Sequence, residues 1–292
     1  MTGLISNKFQ TKKGRLFVFG CSFTKYYWPT WADIIGQEFE YYENWGEIGS
    51  GNLRIAHRIV ECVYKNQIGP NDTVFVMWSG ITREDQYRNN QWHTANPDIK
   101  EHFFSNPVID DRADTITNLG IVALAHNLLE NVKCNWWATS MNGLCTFEST
   151  LLKGPSLRNV EFETLDSDTE NMIENLFDLE KKLIFSTTDV NLQNTLAAAP
   201  DVLKVYQKIF TQLRPSFGSY WWKTVKDISK RPNFGDSHPT PAEHLCLVDN
   251  YFTDQVGAET RDFVLKWQDI VESMTKKDQT TPKWHPPEPD YF

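Results

Sequence analysis

An apolar run that stops at a glycine constrains this chain more than any other feature: Arg15-Leu-Phe-Val-Phe-Gly-Cys-Ser-Phe-Thr24. A stretch this rich in Phe and Val predicts a buried strand. Gly20 then admits a backbone path that a side chain would resist, so the next residues can sit exposed at the carboxyl edge of a sheet. Open α/β folds keep their chemistry at that edge. The same residues also fit a first core strand with an ordinary turn, and partners for Ser22 elsewhere in the chain separate the two readings.

Strand, turn and helix recur downstream. Trp31 to Phe39 has apolar positions at helical spacing, and Tyr41 to Trp45 reads as a short second strand. Gly46-Glu-Ile-Gly-Ser-Gly51 is a glycine-rich turn. It leads into a helix from Asn52 to Tyr64, with Leu53, Ile55, Ile59, Val60 and Val63 on one face and Asn52 suited to its cap. Pro70-Asn-Asp72 breaks the chain before the strand Thr73 to Trp78. From Arg83 to about Asp114 the sequence is polar, which predicts a long loop with no regular structure through Asn89 to Pro97. A helix from Ile116 to Val132 and a strand from Lys133 to Thr139 follow. Helical segments between about Phe147 and Trp222 read as an insertion or cap. Two further helices, to about Phe252 and from Gly257 to about Met274, precede a Pro-rich tail. Alternating strands and helices predict a parallel sheet covered on both faces. The expectation is one α/β domain over 1–276, a three-layer α/β/α, flavodoxin-like parallel sheet with a helical insertion at about 147–222, and a tail over 277–292.

Composition narrows the function classes. A chain of 292 residues can bury a substantial core. The net charge of −9 and the lack of a basic stripe argue against a nucleic-acid partner, because phosphate binding uses clustered Lys and Arg. Aromatic residues make up 13% of the chain, including 11 Trp, enough to fill cores or to stack on sugars. Five scattered cysteines lack CxxC spacing, and their odd number precludes a complete intrachain disulfide framework, which points to a reducing compartment. The first ten residues lack a signal-peptide apolar stretch, and no segment approaches the roughly 20 apolar residues of a membrane span. The expectation is a soluble, cytoplasmic protein with no membrane partner. Its oligomeric state is unknown from sequence.

A hydrolytic serine needs a base, a carboxylate to orient that base, and donors for the developing oxyanion. Asp236 and His238 supply the first two within Gly235-Asp-Ser-His-Pro-Thr-Pro-Ala-Glu-His244. In an extended loop, residues two apart present their side chains to one side. Pro239 and Pro241 stiffen the segment, and Pro241 can open the next helix. Alone, Asp-x-His-Pro also fits a capping Asp beside a surface His.

Taken together, these blocks resemble the SGNH hydrolases, relatives of the GDSL esterases and lipases, from the first strand to the helix after His238. The resemblance implies that Ser22 is the nucleophile, with Cys21 where the family usually has aspartate. Asn44-Trp-Gly-Glu-Ile-Gly49 is similar to the second block, which makes Gly49 a backbone donor to the oxyanion together with Ser22. Asp236 and His238 match the last block, one residue closer than the usual Asp-x-x-His. The third block departs from the pattern: Trp78-Ser-Gly-Ile-Thr-Arg83 puts Ile81 where an asparagine donor usually falls. A missing donor costs roughly 10²–10³ in kcat. Asn52, Ser79, Thr82 or Arg83 stand as replacement donors, and Arg83 and Trp78 as substrate contacts, with Arg83 able to clamp an anionic group. GCSFT-like starts, Trp-Ser/Thr…Arg third blocks and Asp-x-His-Pro endings also resemble divergent SGNH-like proteins of bacteriophages, particularly those of marine cyanobacteria. That adds virion association, or a host cytoplasm, to the expected locations.

Other features are weaker. His244 follows His238 by six residues with no third ligand spaced for a metal. Cys21 fits a buried structural thiol better than a nucleophile. Gly49-Ser-Gly51 lacks both GKS/T and GxGxxG, so a nucleotide site is disfavoured. The sequence therefore predicts a cofactor-free esterase acting on a small ester or a carbohydrate ester, including O-deacetylation. The alternative is an SGNH scaffold retained for binding, with catalysis impaired.

Overall fold

The computed structural model describes residues 14–80, 83–95, 111–141, 208–209, 212–213, 238–252 and 256–274. The insertion expected at about 147–222 lies almost wholly outside these residues, as do the 277–292 tail, Asp236, Ile81 and Thr82. In chain order the elements are β1 (Arg15–Phe19), α1 (Trp31–Gly36), β2 (Tyr41–Asn44), α2 (Asn52–Asn66), β3 (Thr73–Trp78), β4 (Glu84–Arg88), β5 (Gln91–Ala95), α3 (Asp111–Val132), β6 (Asn135–Ser140), α4 (Pro241–Tyr251) and α5 (Ala258–Ser273).

Four strands form a parallel sheet in the order β2-β1-β3-β6. Both faces are buried, and strand alternation sorts the side chains between them. Phe17, Phe19, Val74, Val76 and Trp78 meet Ile55 and Ile59 of α2 and Leu119, Val122 and Leu129 of α3. Leu16, Val18, Phe75 and Met77 meet Trp31, Ile34 and Ile35 of α1, Leu247 and Val248 of α4, and Val264 of α5. This is the expected three-layer α/β/α, flavodoxin-like arrangement. Beyond β6, Leu213 makes a parallel bridge to Ala138.

The order 2-1-3 places a topological switch between β1 and β3, where the helices after β1 and β2 leave to opposite faces. A crevice opens at the carboxyl ends of strands beside such a switch. Ser22 follows β1 and Ser79 follows β3 at that edge.

Two local expectations are corrected. The stretch after Arg83 is not loop throughout: β4 and β5 pair antiparallel as a hairpin, with Asp85 opposite Thr94 and Tyr87 opposite Trp92. Its two-residue turn, Asn89-Asn90, takes φ of 51° and 61°, the left-handed pair that two-residue hairpins favour and Asn tolerates. The cap of α2 is Gly51, not Asn52. Asn52 lies inside the helix and its side chain is used elsewhere.

Candidate active site at the carboxyl edge of the sheet

The turn after β1 is tightly wound and cross-braced. Thr24 and Lys25 donate their N–H groups to Cys21 O at 2.9 and 3.1 Å, enclosing Ser22. A Cβ on Gly20 would lie 2.0 Å from Thr24 Oγ1, so only glycine lets the turn close. Thr24 O accepts from Asn44 Nδ2 at 2.9 Å and from Thr30 Oγ1. Behind these sits Asp33, fully buried, accepting from Thr30 N at 2.8 Å, Tyr42 OH at 3.0 Å and Asn44 Nδ2 at 3.1 Å. A buried carboxylate is tolerable only when so supplied with donors. Burial, and then the charge of Asp33, push the Tyr42 phenol well above its ordinary pKa. Cys21 is buried with Sγ 3.6 Å from Met141 Sδ, the structural placement expected of it.

Ser22 itself is 3% exposed, and no hydrogen bond reaches its Oγ among the described residues. His238 lies against the same turn: its ring stacks on Tyr26 at 3.9 Å between centroids and lies 5.3 Å from Phe23, the neighbour of Ser22. The contact is fixed from both sides. Trp28 Nε1 donates to Pro239 O at 2.8 Å. Thr240 caps α4 in a capping box with Glu243, and Pro241 begins the helix. Thus a segment more than 200 residues away in sequence comes to the Ser22 turn, although no hydrogen bond joins Ser22 to His238.

The turn after β2 supplies the other side. Glu47 N–H donates to Gly20 O at 3.0 Å, tying this turn to the residues before Ser22. Gly49 has φ +85°, with nothing within 4 Å of where a Cβ would stand. Among the described residues no acceptor takes its N–H. Glycine is required here by conformation, not by crowding.

The third block differs from expectation in three respects. Asn52 Nδ2 donates to Ser79 O at 3.2 Å and to Asn118 Oδ1 at 2.7 Å, while its Oδ1 accepts from Ser79 N at 2.7 Å. Both amide hydrogens are spent, so Asn52 clamps Ser79 and has none left for an oxyanion. Trp78, expected to contact substrate, is instead fully buried in the core. Burying an indole contributes about 4–6 kcal/mol, too much for a side chain that must turn out to a ligand. Arg83 donates Nη1 to Ser50 O at 3.2 Å, bracing the second turn rather than standing clear as an anion clamp. Ser79 Oγ and Ser50 Oγ are buried without hydrogen-bond partners among the described residues. Of the expected donors, Ser79 therefore keeps an unspent hydroxyl.

Sequence reasoning missed the residues behind this framework. Trp78 Nε1 donates to His126 Nε2 at 3.1 Å, which leaves the His126 proton on Nδ1, 3.2 Å from Gln212 Oε1. Burial lowers the pKa of His126 to about 4. Asn118 and Asp85 were missed as well. His244 is buried on α4, and no metal-holding cluster occurs among the described residues.

The chain is similar to the crystal structure of a member of the lipolytic protein G-D-S-L family from Veillonella parvula DSM 2008, at 14% sequence identity and a TM-score of 0.40, covering 82% of this chain and 98% of that one. At that identity the likeness does not extend to activity. No family model and no curated protein matches the chain.

Proposed function

We propose that the protein is an SGNH-like serine hydrolase that cleaves carboxylic esters, carbohydrate esters included. Ser22 Oγ attacks the ester carbonyl as His238 takes its proton, with Asp236 orienting the imidazole. The N–H groups of Ser22 and Gly49 hold the oxyanion, with the Ser79 hydroxyl in the place of the usual third donor. His238 returns the proton to the departing alcohol. Water, deprotonated by His238, then releases the acid from the acyl-Ser22 intermediate. The observation that carries this reading is the meeting of the Ser22 turn with His238 at a strand switch point, beside a glycine whose N–H has no acceptor among the described residues.

A second reading rests on one observation, that Ser22 Oγ and His238 share no hydrogen bond. In it the scaffold binds its ligand without turnover, as a virion-associated or other binding module. Release of p-nitrophenolate from p-nitrophenyl acetate separates the two. The hydrolase reading expects Ser22→Ala and His238→Ala each to lose on the order of 10³-fold or more in kcat. Equal rates for native protein and Ser22→Ala would leave only the binding module.

A further inference from the structure

The turn that carries Gly49 is held from outside, by the β4–β5 hairpin. Asp85 is the one buried residue of β4, and its carboxylate crosses to the start of α2. Oδ1 accepts from Gly51 N at 2.9 Å and Oδ2 from Arg54 N at 2.9 Å. These N–H groups lie at the helix start, where α2 lacks a side-chain cap of its own. Thr94, opposite Asp85 on β5, donates its Oγ1 to Oδ1 at 2.5 Å and fixes the carboxylate's rotamer. A Cβ on Gly51 would stand 2.6 Å from Asp85 Oδ2, so the residue is glycine where the carboxylate must approach the backbone. Two residues before Asp85, Arg83 donates to Ser50 O. Farther along the hairpin Trp92 packs on His57 of α2 at 5.2 Å. Tyr87 and Trp92 share the Asp85 face, so Trp92 serves as an anchor on α2 rather than as an open sugar platform.

We propose that Asp85 is a positioning residue for the oxyanion turn. Through Gly51 and Arg54 it sets the path of the chain immediately after Gly49, and so the direction of the Gly49 N–H; this rests on Gly49 being an oxyanion donor. A carboxylate is needed because both of its oxygens face backbone N–H groups. The Asp85→Asn amide would turn N–H against one of them, and Asp85→Ala would leave both without an acceptor.

The test combines kinetics on p-nitrophenyl acetate with amide hydrogen exchange, on the full chain. For Asp85→Ala and Asp85→Asn the expected result is a fall in kcat of roughly 10–100-fold with KM held, the mark of lost transition-state alignment rather than lost substrate binding. Exchange should quicken at Gly51 and Arg54 and stay unchanged in the β1–β3 sheet. Gln91→Ala, exposed at the hairpin tip, should match native protein in both measurements. Unchanged kcat in Asp85→Ala overturns the proposal, as does a rate loss accompanied by faster exchange across the sheet. If native protein and Ser22→Ala hydrolyse the ester equally, the hydrolase reading fails by itself. In that case exchange still decides the strap: unaltered protection at Gly51 and Arg54 in Asp85→Ala overturns it.

Discussion

Asn52 and His126 show how single side chains hold this site from behind. Asn52 satisfies both backbone groups of Ser79, one residue past the end of β3. Asn52→Ala leaves a buried N–H without an acceptor, and the expected cost is about 1–3 kcal/mol in urea unfolding. An unfolding midpoint equal to that of native protein would show that the clamp contributes nothing. His126 is neutral in the fold because burial opposes its charge, with a pKa of about 4. In the unfolded chain that value rises to about 6.5, so between the two the unfolded state binds more protons. Its contribution is therefore full above pH ~6.5 and is lost as pH falls through 4, by about 3 kcal/mol. His126→Gln should flatten the acid limb of stability against pH by that amount. An acid limb as steep as in native protein would contradict the burial assigned to His126.

At the scale of elements, α4 is the carrier of His238. Its cap, Thr240, follows two residues after the imidazole and one after the carbonyl that Trp28 holds. Thr240→Ala should cost about 1 kcal/mol in chemical denaturation. Trp28→Phe keeps the aromatic bulk and removes the bond to Pro239 O, and is expected to lower ester-hydrolysis kcat more than it lowers thermal stability. A stability loss with unchanged kcat would mean that the tether does not position His238. What was legible in the sequence follows from range of action. The strands β1 and β3 announce themselves as apolar runs because both faces are buried, and α2 by its one-sided spacing. The β4–β5 hairpin is polar, buries only Asp85 on its first strand, and leaves Asn89-Asn90 as its one local signal. Ser22 and His238 stand beside glycine and proline punctuation that can be read locally. Asp85, Asn118 and His126 act across 31 to 86 residues, and no local pattern marks such partners.

For the molecule as a whole, the sheet order brings the ends of β1, β2 and β3 to one edge, and the two helical layers are sealed by separate apolar cores. Among the described residues, the groups at this edge without a hydrogen-bond partner include the Ser22, Thr24, Ser50 and Ser79 hydroxyls and the Gly49 N–H. No helix among these residues is long and apolar enough to cross a membrane. Central to the account is a nucleophilic Ser22. Its most direct test is covalent labelling with a fluorophosphonate, read by intact mass and peptide mapping. The predicted result is a single adduct on the peptide containing Ser22, absent in Ser22→Ala and much slower in His238→Ala. A native protein that takes no adduct, or a Ser22→Ala protein labelled as fast as native, would contradict it.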